Sequence, residues 1–254
     1  MSQQHLGINI SETHVEFSIL DGKTILNHFA EAYTGRTDSD KKESIRSIIS
    51  ANAALNKDFS NVTLAWCHPQ STLVPSSIFS ESSPKELFQL CFGADASEGT
   101  IDHNRIFELS VVNVYSIPDW VKSLFVIKFP RIIIQHAGTH QIREVLGSNA
   151  FYIKASILIQ ENNFLLTIVK HNNLEFYSTF TYQSAEDVIY HLNFVLQQKE
   201  MLGEKGTIEL SSAAGGNQST CEEVSKGLSK IQHLNKMKIE LHDSFLTKSQ
   251  LLCV

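Results

Sequence analysis

His136 and His140 lie four residues apart, the spacing at which one face of a helix presents a pair of metal ligands. Gly138 stands between them and no neighbouring glutamate completes a zinc hydrolase, so the segment reads as a strand-to-helix turn carrying one polar histidine. Cys67 and His68 place a thiol beside an imidazole. Consecutive residues leaving a strand point to opposite sides, which separates a nucleophile from its base and leaves a buried thiol and a surface ring. Ser212, Gly215 and Gly216 belong to a run of small residues ahead of a helix. Backbone donors and the helix dipole collect at such a place and could cradle a ligand, and a plain strand-to-helix turn would use the same residues. The serines at 76, 77, 80, 82 and 83 read as a loop leading into a capped helix. No catalytic residue and no metal ligand is assigned from these groups.

The elements that hold them follow from the alternation of apolar and polar residues. Leu6, Ile8 and Ile10 alternate with Gly7 and Asn9. Val15, Phe17 and Ile19 alternate after the polar turn Ser11-Glu12-Thr13, and Asp21-Gly22 turns the chain into a third strand from Thr24 to Phe29. A helix is expected from Asp40 to Leu55 with Ser39 as N-cap, then a buried strand from Val62 to Trp66. Ser83, Pro84 and Glu86 mark a helix start, and that helix ends near Phe92 ahead of Gly93. Ala94 to Asn104 reads as a polar loop, Leu109 to Tyr115 as a strand, Pro118 to Phe129 as a helix and Arg131 to His136 as a strand.

The opening pattern then recurs. Ser156 to Gln160, Phe164 to Lys170 and Leu174 to Thr181 are strands, and Ser184 with Asp187 opens a helix. A strand from Thr207 to Leu210, a loop from Ser211 to Gly216, a helix from Thr220 to Leu234 capped by Thr220, and a strand from Lys238 to Leu241 complete the chain. Three strands, a helix and a strand thus occur twice, near residues 5–66 and 155–210.

The 254 residues suffice for one large domain or two lobes, and the 42% apolar content with 15 Phe fills a real core. Charged residues at 19% argue against disorder. A net charge of −6 lacks the basic stripe that nucleic acid requires. No run reaches the roughly 18 apolar residues of a membrane span. Met1 to His5 has no basic cluster leading into an apolar stretch, so no signal peptide is expected. Cysteines at 67, 91, 221 and 253 lie far apart and read as reduced thiols in a cytoplasmic protein.

With the meander used twice, Leu6-Gly7-Ile8-Asn9-Ile10-Ser11-Glu12-Thr13 resembles the first phosphate loop of the actin-like ATPase superfamily, Leu-Gly-Ile-Asp-Ile-Gly-Thr. The resemblance implies an α/β chain with a duplicated RNase H-like/actin-like ATPase fold, two lobes each with a mixed sheet and flanking helices. Lobe I would cover 1–145, with a partner-type insertion at about 67–135, and lobe II 146–254. Trp66-Cys67-His68-Pro69-Gln70 and Ile117-Pro118-Asp119-Trp120 further resemble an uncharacterised bacterial family, domain of unknown function 3822.

The superfamily holds hydrated Mg²⁺ with two Asp residues and lets backbone N–H groups approach the phosphates at glycines. Asn9 and Ser11 stand at the first Asp and Gly, and Leu158 and Gln160 at the second pair. The adenosine-side strand is followed by Ser212-Ala213-Ala214, with glycines only at Gly215 and Gly216. Phosphoryl transfer depends on positioning and charge stabilisation, so hydrolysis is not expected, with Glu12 the one replacement acid. The resemblance implies a pseudoenzyme that serves as a protein-interaction or scaffold module, with a protein partner and without a cofactor. The alternative is a nucleotide or small-ligand sensor using a vestigial cleft of Asn9, Ser11, Glu12, Thr13, Ser212, Gly215 and Gly216.

Overall fold

Residues 4–93, 99–148 and 150–253 are described in the computed structural model. The first three strands, β1 (Gln4–Ile10), β2 (His14–Asp21) and β3 (Thr24–Ala32), form an antiparallel meander. Helix α1 (Asp38–Ala51) leads to β4 (Asn61–Trp66), which lies parallel to β1. Thr37 rather than Ser39 caps α1. Its hydroxyl accepts from the Asp40 N–H and the Asp40 carboxylate accepts from Thr37 N–H, a reciprocal pair that a serine two residues later cannot make.

Next come β5 (Ser71–Pro75), α2 (Pro84–Phe92), β6 (Thr100–Ile106) and β7 (Val111–Ile117), whose strands form a separate antiparallel sheet in the order β5-β7-β6. The polar run expected as a loop is therefore partly a strand from Thr100 onward, and residues 94–98 lie outside the described residues. Ser83 stands at the N-cap of α2 but donates its hydroxyl to the Ser80 carbonyl instead of capping. Helix α3 (Asp119–Lys128) returns the chain to β8 (Ile133–His136), and α4 (Ala137–Gly147) follows directly.

Strands β9 (Ile153–Ile159), β10 (Asn163–Lys170) and β11 (Asn173–Thr181) repeat the meander. Helix α5 (Ala185–Gln198), capped by Ser184 with Asp187, leads to β12 (Gly206–Ser212), α6 (Gln218–Leu228) and β13 (Met237–Leu241). Asn217 rather than Thr220 caps α6, and the helix stops at Leu228, with a separate 3-10 turn at Gln232–Leu234. The chain ends in α7 (Phe245–Ser249) and a 3-10 turn over Gln250–Cys253.

The two large sheets have the orders β3-β2-β1-β4-β8 and β11-β10-β9-β12-β13, the same path traced twice. Register makes the duplication residue-exact. Ile10 faces Val15 as Ile159 faces Phe164, and both meanders break step at the same place, Ile19/Leu20 and Ile168/Val169. Asn9 therefore corresponds to Leu158, Ser11 to Gln160 and Ser18 to Thr167. Each sheet packs one face on its own helices around a separate core. A third core joins the lobes through Ala65, Cys67, Leu158, Leu165, Ala213 and Phe245. Among the described residues, no helix is long and apolar enough to cross a membrane.

Candidate functional site

The two meander turns and the β12–α6 turn meet where the lobes touch. Thr13 Oγ1 of the first turn donates to Glu161 Oε2 of the second at 2.5 Å, a bond between residues 148 apart in the chain. Gly215 sits against both, since a Cβ there would lie 3.1 Å from His14 Nδ1 and 3.5 Å from Glu161 Cβ. Gly215 has φ +81, and a Cβ on Gly216 would lie 2.3 Å from the Ile159 carbonyl oxygen. These glycines serve a turn packed tightly on β9.

Six backbone donors at the turns have acceptors within the protein: the amides of Ser11, Thr13, His14, Gln160, Ala213 and Gly216. Ser11 Oγ accepts from the Thr13 and His14 amides at 3.4 and 3.1 Å, and the Ser11 amide donates to the His14 carbonyl. In lobe II the Gln160 amide donates to Asn163 O, Ala213 to Ile159 O and Gly216 to Ala213 O. A phosphate seated on these six amides would have to displace bonds within the protein.

Asn9 lies 3% exposed beneath the C-terminal segment. Its amide donates to Glu16 Oε2 at 3.0 Å and to Thr247 Oγ1 at 3.1 Å, and its oxygen accepts from Gln250 Nε2 at 2.5 Å. Gln250 also accepts from Thr63 Oγ1 at 2.6 Å, and Thr63 bonds His5 Nε2 at 2.8 Å. Burial raises the Glu16 carboxyl above its usual range and pushes His5 down to about 4. An aspartate at position 9 would lose both donations and set a second carboxylate beside Glu16, so the neutral amide is what this network requires.

The equivalent site in lobe II is closed differently. Leu158 is fully buried in the inter-lobe core, and Gln160 is buried with its Nε2 lacking a hydrogen-bond partner among the described residues. Helix α4 does for β9 and β10 what α7 does for β1 and β2. Gln141 donates to the Ser156 carbonyl at 3.0 Å and accepts from Thr167 Oγ1 at 3.0 Å, while Thr247 lies beside Ser18 at the matching position.

Of the seven residues singled out for a cleft, Thr13 and Gly215 come together at the lobe contact through His14 and Glu161, and Ser11 organises its own turn. Asn9 is covered by α7, and Ser212 donates to Gln218 Oε1 at 3.1 Å beside the α6 start. Glu12 turns away from the contact. It faces His68 Nε2 at 3.4 Å, a partner that holds its carboxyl below the usual range. The segment from Ser244 to Gln250, which reaches back across the lobes, escaped the sequence reading. Its signal is a buried pair, Phe245 and Leu246, followed at helical spacing by Ser249 and Gln250.

The remaining candidates are structural. Cys67 is buried, and burial raises its thiol far above the range of a reactive thiolate. His68 stacks on Trp66 with ring centroids 5.7 Å apart. His136 caps α4 through Nδ1, which accepts from Gly138 N, so its Nε2 donates to the His68 carbonyl at 2.8 Å. His140 is fully buried as well, and burial lowers both rings to about 3. Among the described residues one group has metal-ligand spacing, Glu209, Glu240 and His242. Lys154 pairs with Glu209 at 2.9 Å and Lys238 with Glu240 at 2.5 Å, so its carboxylates already have cationic partners.

Two lobes of identical strand order, joined through the helix that closes each, define the class: this is an actin-like ATPase fold. The chain belongs to the family described as Protein of unknown function (DUF3822), whose model matches residues 1–231. A Bacteroides thetaiotaomicron VPI-5482 protein with an actin-like ATPase fold and unknown function aligns over 100% of this chain and 97% of its own, with a TM-score of 0.76 and 17% identity. A chain of the PilM-PilN type IV pilus biogenesis complex aligns over 95% of this chain and 89% of its own, with a TM-score of 0.57 and 9% identity. No curated protein matches the chain in sequence.

Proposed function

We propose that this protein is a non-catalytic member of the actin-like ATPase fold, a pseudoenzyme that uses the scaffold to bind another protein. The observation that carries the reading is the direct bond from Thr13 to Glu161, which ties together the two turns that phosphates would separate. The neutral groups Asn9 and Leu158 stand where metal-holding acids would be needed, and both are buried. A PilM-PilN complex on a similar fold supports a scaffold role, as does the surface of the inserted sheet region. There Ile78, Leu90 and Phe107 are 64%, 82% and 76% exposed, apolar side chains presented to solvent on a segment that lobe II lacks.

Two measurements test this. Purified protein with Mg-ATP is expected to release phosphate no faster than a buffer blank. Turnover of a few per minute that vanishes in Glu12→Gln would overturn the reading. Tagged protein is expected to retain a specific polypeptide from its native cells, and the Leu90→Ser, Phe107→Ser double variant to lose it at an unchanged unfolding midpoint. Retention unaffected by the double variant would remove the inserted sheet from the proposal.

A further inference from the structure

A cavity of about 550 Å³ opens on lobe I between the start of α1, the end of β4 and the β7–α3 junction. None of its lining residues comes from lobe II, so it is separate from the lobe contact. Its size falls within the range of pockets that hold small ligands, roughly 300–1,000 Å³.

Three carboxylates line it, Glu12, Asp38 and Asp119, with Lys41 as the one ammonium among the lining residues. Lys41 Nζ lies 5.8 Å from the centre of the Trp120 ring, where the face of the indole takes part of its charge. His68 adds none. Its Nδ1 accepts from the Gln70 amide at 3.2 Å, so the proton sits on Nε2, which faces Glu12. Three negative groups against one positive leave the lining anionic by two charges.

Asp38 and Asp119 each begin a helix and stand exposed at the mouth of the cavity. Asp38 has no ion-pair or hydrogen-bond partner among the described residues, and Asp119 accepts only from the Thr100 hydroxyl. Ser116 lines the cavity, is 4% exposed, and its hydroxyl makes no hydrogen bond to the described residues. The Ser116 oxygen is not among the fully buried unpartnered polar atoms of the described residues, so it stays open to a ligand in the cavity. Trp66, fully buried beneath His68, and Trp120, 4% exposed, back the cavity with large packed side chains.

We propose that this cavity binds a cationic ligand, a primary amine or guanidinium carried on a short apolar stem. The carboxylates of Asp38 and Asp119 meet the charge, Ser116 accepts one N–H, and the stem lies beside Pro118 and Trp120. A free amine and a lysine or arginine side chain of a polypeptide share this chemistry. The site stands whether or not the lobe contact admits nucleotide.

Calorimetric titration of the full chain with agmatine, with a terminally blocked arginine tripeptide and with glutamate tests it. Saturable binding of at least one cation and none of glutamate is expected. Asp38→Asn is expected to weaken binding about tenfold, the loss of one charge-assisted contact. Ser116→Ala, which removes no charge and no helix-end carboxylate, is expected to weaken it several-fold at an unchanged unfolding midpoint. Binding of agmatine identifies a free amine as sufficient, and binding of the tripeptide alone identifies a polypeptide side chain. Neither cation binding at about 10 mM, glutamate binding equally well, or an affinity unmoved by both substitutions would overturn the proposal.

Discussion

Asn9 shows how far one residue has been refitted. Its amide donates to Glu16 and Thr247 and accepts from Gln250, so an acid at this position would meet the Glu16 carboxylate and lose both donations. Asn9→Asp is expected to lower unfolding free energy by about 2–4 kcal/mol in urea, the cost of an unmatched buried charge, and to leave ATP hydrolysis at background. Adding Glu16→Gln is expected to recover part of that loss, and an unchanged urea midpoint in Asn9→Asp would contradict the network. The buried histidines make a second prediction. His5 titrates near 4 and His136 and His140 near 3 in the folded chain, against 6.5 for a free ring. Between those values the unfolded chain binds protons that the folded chain refuses, so stability falls as pH drops from about 6.5 towards 4. Each ring contributes a slope of up to about 1.4 kcal/mol per pH unit. Glu16, with its raised carboxyl, works in the opposite direction. Urea midpoints across that range check the slope, and His136→Gln is expected to reduce it.

At the scale of elements, the helices that close each lobe act across the lobe boundary. Helix α7 and the turn after it cover β1 through Thr247 and Gln250, so Gln250→Ala, which strands Asn9 Oδ1 and leaves the Thr63 hydroxyl with His5 alone, is expected to cost about 1–3 kcal/mol in urea unfolding. At the other end of the same layer, Gly138 leaves room for Tyr177, whose hydroxyl oxygen would lie 2.0 Å from a Cβ there and which also bonds Ser71 at 2.6 Å. Gly138→Ala is expected to cost about 1–3 kcal/mol through overpacking, partly recovered by Tyr177→Phe. Much of this frame was legible in the chain. The meanders announced themselves by strict alternation, as at Leu6, Ile8 and Ile10, and the α5 start by Ser184 with Asp187. The cap of α1 was misplaced by two residues because Thr37 and Ser39 are both plausible N-caps, and only Thr37 sets Asp40 three positions on. Strand β6 was hidden because Asp102, His103, Asn104 and Arg105 are polar, on a sheet whose apolar face is supplied by Val112 and Val114 of its neighbour. Helix α7 is five residues long, so its helical spacing from Phe245 and Leu246 to Ser249 and Gln250 repeats only once, and what it covers is set by contacts more than two hundred residues away.

Across the whole molecule, the sequence set Asn9 against Leu158 and Ser11 against Gln160, and the register of the duplicated fold pairs the same residues. The contact between the turns was not legible, since the Thr13–Glu161 bond and the Gly215–His14 approach exist only once the lobes meet. The shared core through Leu158, Leu165 and Ala213 makes the lobes interdependent, and the chain is expected to unfold in urea as one transition by fluorescence and circular dichroism together. Two separated transitions would show lobes that fold independently. The contact between the phosphate-loop turns is the central claim, and thermal unfolding with Mg-ATP tests it most directly. A ligand that binds the folded state raises the midpoint with the logarithm of its concentration over its dissociation constant. With the turns bonded to each other, the midpoint is expected to stay where it is up to about 5 mM Mg-ATP. A midpoint that climbs with nucleotide, and climbs further in Thr13→Ala, would show that the lobes part to admit phosphates.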